Sequence, residues 1–290
     1  MVFLVYLLVS TLIWSFSFSL IGSQLSSVDP YLAIMIRAAL AMVFFLPFIK
    51  PMRISSINVN MMLVGAIQLG LMYCFYFNAF RYISVNEILL FNITTPIYLI
   101  LIDNLIKKRN LTKNLILVIC SVVGAYVIRD TIIGSDVIIG FLLIQGANLC
   151  FAMGQVMYGK VVIKNKQINN FAYFYFGAFL VSLIAYAGLG DANNLIITDE
   201  QLITLVYLGI VASGLGYYLW NVGSKLVTTT QLAIANNLLI PVGILVNITL
   251  WDGEFNLIKL TIGSVIIMAT LYIDIKKARK PQVNLDTKDI

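Results

Sequence analysis

The sequence predicts an all-α integral membrane protein of ten transmembrane helices, arranged as two inverted five-helix repeats. Three observations lead there. Hydrophobic residues make up 60% of the 290 positions and charged residues 11%, with a mean hydropathy of +0.95, whereas a soluble domain carries about 25% charged residues. Lysine and arginine gather on alternate connectors. A polar, proline-bearing interruption at Asn92-Ile93-Thr94-Thr95-Pro96 returns as Asn237-Leu238-Leu239-Ile240-Pro241.

A helix needs about 20 apolar residues to cross the hydrocarbon core, and ten segments meet that measure: 3–22, 31–49, 61–80, 85–105, 114–129, 136–158, 171–189, 201–221, 228–249 and 257–275. No Lys or Arg precedes the first and no small-residue cleavage site follows it, so 1–22 is expected to be a retained span. The connectors are short and leave no room for a soluble domain. Alternation through ten spans puts fifteen of the 19 lysines and arginines on one side, Arg81, Arg129 and Lys259 on the other, and Arg37 inside a span. Cytoplasmic loops collect positive charge, so both termini are expected in the cytoplasm. The net charge of +6 is thereby a matter of topology, and a nucleic-acid partner is not expected.

Two motifs recur in order. Phe77-Asn78, then Arg81, then Pro96 is matched by Trp220-Asn221, then Lys225, then Pro241. The copies lie five spans apart, and an odd number of spans per repeat inverts the second half relative to the first. The expected division is 1–130 for the first repeat, 131–275 for the second, and 276–290 for a basic cytoplasmic tail that anchors to anionic lipid. Proline removes a helix donor and displaces the carbonyl four residues earlier, so Pro96 and Pro241 mark helix breaks beside Asn92 and Asn237. Parity sets Asn92 on the outer side of the midplane and Asn237 on the inner side.

With that order of residues the chain resembles the EamA branch of the drug/metabolite transporter superfamily over nearly its whole length. The resemblance rests on Trp14-Ser15, Asp29-Pro30 with Arg37, the Ala79-Phe80-Arg81-Tyr82-Ile83-Ser84 run, Pro96, Tyr218-Leu219-Trp220, Pro241 and Gly253-Glu254. One departure is that Lys107-Lys108-Arg109 stands where a second Gly-Glu is expected. The resemblance implies a ten-helix bacterial inner-membrane carrier of small metabolites, commonly amino acids or related compounds and often outward, working by alternating access through a central cavity.

Each candidate site residue has two readings. Asn92 and Asn237 either coordinate substrate beside Pro96 and Pro241 or hydrogen-bond neighbouring helices. Gln145, Asn148 and Gln155 share one helical face; the first two are taken as substrate contacts and Gln155 as interfacial. Trp14 lies too deep for the interfacial aromatic belt and either lines the cavity, beside Ser10 and Ser17, or packs. Phe77 with Asn78 and Trp220 with Asn221 either gate the two mouths or belong to that belt. Among charges within spans, Asp103 is spaced to pair with Lys107. Arg37 and Glu87 are expected to pair with each other; alternatively Arg37 attracts a substrate carboxylate, or Glu87 carries a coupling proton.

The sequence contains no histidine, which excludes His-based relays and metal ligands, and Cys74, Cys120 and Cys150 lack metal-site or disulfide spacing. No cofactor, metal site or catalytic residue is expected, and an integral membrane enzyme, which would need clustered carboxylates at an interface, is the remote alternative. A receptor or scaffold would need larger loops or tails. With no carboxylate near a span centre, a facilitator or exchanger is favoured over proton coupling. The expected partners are the bilayer and a neutral, zwitterionic or aromatic metabolite, with import of a nucleoside-bearing or amine metabolite as the alternative and a monomer as the working unit.

Overall fold

The computed structural model describes residues 2–49, 56–108, 135–161, 168–192, 195–251 and 256–278, together with 116, 119, 120 and 123. Among them all regular structure is helical. Eight helical stretches are long and apolar enough to cross a membrane: α1 (Val5–Gln24), α2 (Pro30–Phe48), α3 (Ile57–Ala79), α4 (Val85–Lys107), α5 (Val137–Lys160), α6 (Ile168–Leu189), α7 (Asp199–Ser224) and α8 (Thr229–Leu250). A ninth helix, α9 (Leu257–Ala278), contains a shorter apolar stretch. The expected fifth span, 114–129, lies largely outside the described residues, as does most of the 276–290 tail.

Local chemistry sets the helix starts. Pro30 opens α2, where its missing N–H costs nothing, and the Asp29 side chain accepts from Leu32 N at 2.8 Å. Ser84 and Glu87 form a reciprocal capping box at the start of α4, and Thr228 and Gln231 form another at the start of α8. Ser84→Ala removes the cap and is expected to cost about 1 kcal/mol, read as a lower unfolding midpoint in detergent. Glu87→Gln, which keeps the box, should cost less.

Both proline-bearing spans are interrupted where the motif lies. In α4 a 3-10 turn covers Asn92–Thr94, and in α8 the helix ends at Asn237 and restarts at Leu239. The span before each is distorted as well, by π-helical turns at Ala66–Leu71 in α3 and Tyr207–Gly216 in α7. Such turns mispair backbone carbonyls and recur at functional sites.

Packing brings α1 against α7 and α8, α4 against α5 and α8, and α6 against α2 and α3. The α3–α6 contact is backbone to backbone: a Cβ on Gly65 would strike the Phe174 carbonyl, and one on Gly177 the Met62 carbonyl. Large apolar side chains such as Leu12, Ile184 and Val265 point outward, as lipid requires when the outside is as apolar as the core.

Candidate functional site

The break in α4 starts from one displaced backbone bond. Thr95 N turns back to Asn92 O, three residues away, so the Phe91 carbonyl loses its usual helical partner. α5 supplies replacements: Asn148 Nδ2 donates to Phe91 O at 3.0 Å and Gln145 Nε2 at 3.5 Å. Thr94 Oγ1 ties the group together, donating to Gln145 Oε1 at 2.6 Å and accepting from Asn148 Nδ2 at 3.1 Å. The distortion in α7 works alike. Trp14 Nε1 donates to Ala212 O at 2.9 Å, Ser10 Oγ to Gly216 O at 3.1 Å, and Tyr175 Oη shares its one hydrogen between the Ser213 and Gly214 carbonyls at 2.8 and 2.7 Å. Side chains of neighbouring helices thus satisfy carbonyls that hydrocarbon would leave stranded.

Between these two distortions lies a central cavity of about 80 Å³. α1 contributes Trp14, Ser17, Phe18 and Ile21; α4, α5 and α8 contribute the amides of Asn92, Asn148 and Asn236. Phe151 and Tyr217 pack on Trp14 at ring-centroid distances of 6.2 and 4.8 Å. The opposite wall is Arg37, Tyr73 and Tyr76. Arg37 is 2% exposed; its Nη2 donates to Tyr73 Oη at 2.9 Å, its Nε to Ser213 Oγ at 3.2 Å, and its guanidinium carbon lies 4.4 Å from the Tyr73 ring centroid. A cation at this depth is costly, and these contacts offset only part of the cost.

A hydrogen-bonded chain of side chains links α3, α5 and α7 beside Trp14 and Phe151 of the cavity. Trp220 Nε1 donates to Gln155 Oε1 at 2.9 Å, Gln68 Nε2 donates to the same oxygen at 2.9 Å, and Gln68 Nε2 reaches Asn221 Oδ1 at 3.3 Å. Indole nitrogen can only donate, which sets the direction of the whole chain. Gln155 also borders a vestibule of about 310 Å³ that Lys107, Lys160 and Lys225 line. Lys225 Nζ donates to Val161 O at 2.6 Å above the Tyr158 ring, and burial pulls its ammonium below the usual lysine range. Asp103 pairs with Lys107 at 2.6 Å and accepts from Thr229 Oγ1 at 3.0 Å.

The expected residues divide unevenly. Trp14, Asn92 and Asn148 line the cavity, and Arg37 does too. Gln145 braces the α4 break instead, and Asn237, fully buried, leaves the cavity face to its neighbour Asn236, since adjacent helical residues point about 100° apart. The Arg37–Glu87 pair does not form: Glu87 Oε2 accepts from Ser84 N and Oγ at 2.7 and 2.8 Å, held by its own helix start. Asn78 is likewise local, donating to Cys74 O at 2.8 Å. Phe77 lies 5.1 Å from the Arg37 guanidinium carbon; at that end Phe18 and Tyr76, edge to face at 5.6 Å, are the aromatics on the cavity. Trp220 and Asn221 join Gln155 and Gln68 in the hydrogen-bonded chain. Pro96 and Pro241 are buried just after the two breaks.

Gln68, Tyr73, Tyr76, Ser213 and Asn236 escaped the sequence reading. Gln68 had a visible signal, a carboxamide in mid-span; the tyrosines did not stand out among 15.

Comparison with known proteins agrees with a carrier. Residues 1–129 match the EamA-like transporter family. The biotin transporters of Salmonella typhimurium and Escherichia coli are each 40% identical over 92% of this chain and 91% of their own. The probable biotin transporter of Pseudomonas aeruginosa is 38% identical over 93% and 96%. A crystal structure of a protein 16% identical shares the fold with a TM-score of 0.74, over 95% of this chain and 96% of that one. The chain is a multi-pass membrane transporter and belongs to the EamA-like transporter family of the drug/metabolite transporter superfamily.

Proposed function

We propose that this chain carries biotin across a bacterial inner membrane by alternating access through the central cavity. The observation that carries the reading is a cavity lined by aromatic rings and carboxamides, and we infer that the Gln68–Gln155–Trp220 chain seals it from the vestibule. Its lining suits a compact ring system with a neutral, urea-like polar edge, which biotin has, and the names of the relatives agree. Amino acids, the substrate class expected from the sequence, have less to recommend them here: among the described residues no carboxylate lines the cavity to meet an ammonium. We infer that substrate parts Phe18 from Tyr76 as it enters the cavity of about 80 Å³.

The same reading includes the ten-span plan with inverted five-helix repeats and cytoplasmic termini. The recurrence of a π-distorted span followed by a capped, broken span, in α3–α4 and again in α7–α8, supports it. The lysines bordering the vestibule, Lys107, Lys160 and Lys225, support its facing the cytoplasm. The protein acts as a carrier, not an enzyme, and as a monomeric facilitator or exchanger, driven by the gradients of its substrates and not by protons.

Liposomes holding the full chain and unlabelled biotin should accumulate labelled biotin by counterflow, also after the proton gradient is collapsed. Asn236→Ala should weaken the apparent affinity about tenfold by removing a cavity amide. Well-folded protein that shows no biotin counterflow would rule out the substrate, and loss of counterflow with the gradient would rule out the facilitator.

A further inference from the structure

Two polar atoms on the cavity wall have no partner. Arg37 Nη1 and Tyr76 Oη are both buried and make no hydrogen bond, on side chains 2% and 8% exposed that both border the cavity. The other two guanidinium nitrogens are engaged by Tyr73 and Ser213, which holds the group in one orientation. No carboxylate among the described residues lies within ion-pair distance of it. Native interiors leave few buried donors unpaired, and a guanidinium without its counter-anion is the costliest kind. Both unpaired groups can donate: Arg37 Nη1 carries N–H bonds and Tyr76 an O–H. The shared complement is a single, compact anion.

We propose that Arg37 Nη1 and Tyr76 Oη form a carboxylate subsite, so that the transporter selects a monoanionic ring-bearing acid over its neutral amide or ester. This rests on the cavity being the transport site and, for biotin itself, on the substrate proposed above. The substrate lies with its carboxylate against the α2–α3 wall and its ring toward Trp14, Phe151 and the amides of α4, α5 and α8. Arg37 replaces the lost hydration of the carboxylate, and the carboxylate supplies the charge that the empty site lacks. Loading therefore removes an electrostatic cost from the protein, which favours a substrate-bound carrier. Lipid-facing hydrophobicity alone would prefer the uncharged amide, so the two chemistries predict opposite selectivity.

The test is competition against labelled biotin counterflow in proteoliposomes, by biotin and by biotin carboxamide, with wild type, Arg37→Met, Arg37→Lys and Tyr76→Phe. Wild type should prefer the acid by about 30-fold. Tyr76→Phe, which removes one oxygen from a ring that otherwise keeps its packing, should weaken the acid about fivefold and change the amide by less than about twofold. Arg37→Met should erase the acid preference and Arg37→Lys should restore part of it. Equal losses for acid and amide in Tyr76→Phe, or no acid preference in wild type, would overturn the subsite. Wild type that takes up neither compound refutes biotin as the substrate. The subsite is then decided by direct binding of lipoate, indole-3-propionate and 4-phenylbutyrate against their amides: acid preference lost in Tyr76→Phe upholds it, and no preference anywhere overturns it.

Discussion

Gly177→Val, and equally Gly65→Val, is expected to leave little folded protein in the membrane. At each position the obstacle is a backbone carbonyl of the opposing helix, Met62 O for Gly177 and Phe174 O for Gly65, so no rotamer change relieves it and α3 must separate from α6. Within a bilayer no hydrophobic force compensates for the gap, because lipid solvates the exposed surface as well as protein does, and close van der Waals contact is what holds helices together. We expect a loss of about 3 kcal/mol or more, visible as poor yield and a lowered unfolding midpoint in detergent. Gly65→Ala should move in the same direction by less. Gly159→Ala and Gly188→Ala meet no atom within 4 Å and should be neutral or slightly stabilising, since alanine is the better helix former. Wild-type midpoints in both valine variants would show that the α3–α6 contact is not as close as described.

Gln155→Leu is expected to unseal the cavity from the lysine-bordered side. Gln155 Oε1 is the shared acceptor for Trp220 Nε1 and Gln68 Nε2, each at 2.9 Å. A leucine of similar volume leaves Trp220 Nε1 unpaired and Gln68 Nε2 with only its 3.3 Å bond to Asn221 Oδ1 while the chain stays closed, whereas an open vestibule would hydrate both. One unpaired and one weakened buried donor cost about 2 kcal/mol together, which moves a two-state population by about thirtyfold. The reporter is Ala147→Cys on the cavity wall, with Cys74, Cys120 and Cys150 replaced by serine, labelled by an impermeant thiol reagent from the lysine-bearing face. Labelling should quicken at least about tenfold, and Gln155→Glu, which keeps an acceptor facing both donors, should retain more of the closure. An unchanged labelling rate in Gln155→Leu would mean that this chain of side chains is not the seal.

Features governed by near neighbours in the chain could be read directly. Membrane spans follow from runs of apolar residues, the Asp103–Lys107 pair from its four-residue spacing, and the breaks after Asn92 and Asn237 from a proline four residues on. The Ser84-x-x-Glu87 capping box was equally legible and, once recognised, removes Glu87 from the candidates for pairing with Arg37. The side chains that meet in the cavity were harder. Asn236 and Asn237 are adjacent amides, and only the rotation of α8 against α1 and α4 turns one to the cavity. Gln145 and Asn148 share a face, yet the stray Phe91 carbonyl engages both and leaves only Asn148 on the lining. Gln155 reads as interfacial until Gln68 and Trp220 arrive from α3 and α7, 87 and 65 residues away.

Composition and short-range spacing therefore decide that this chain is a membrane helix bundle and where its helices start, break and carry charge, because those properties depend on a hydrocarbon thickness and on backbone bonds a few residues long. Which polar groups find partners, and which, such as Arg37 Nη1 and Tyr76 Oη, remain unpaired beside the cavity, depends on how helices from distant parts of the chain cross. Those crossings are set by backbone contacts such as Gly65 against Phe174, which no single segment contains.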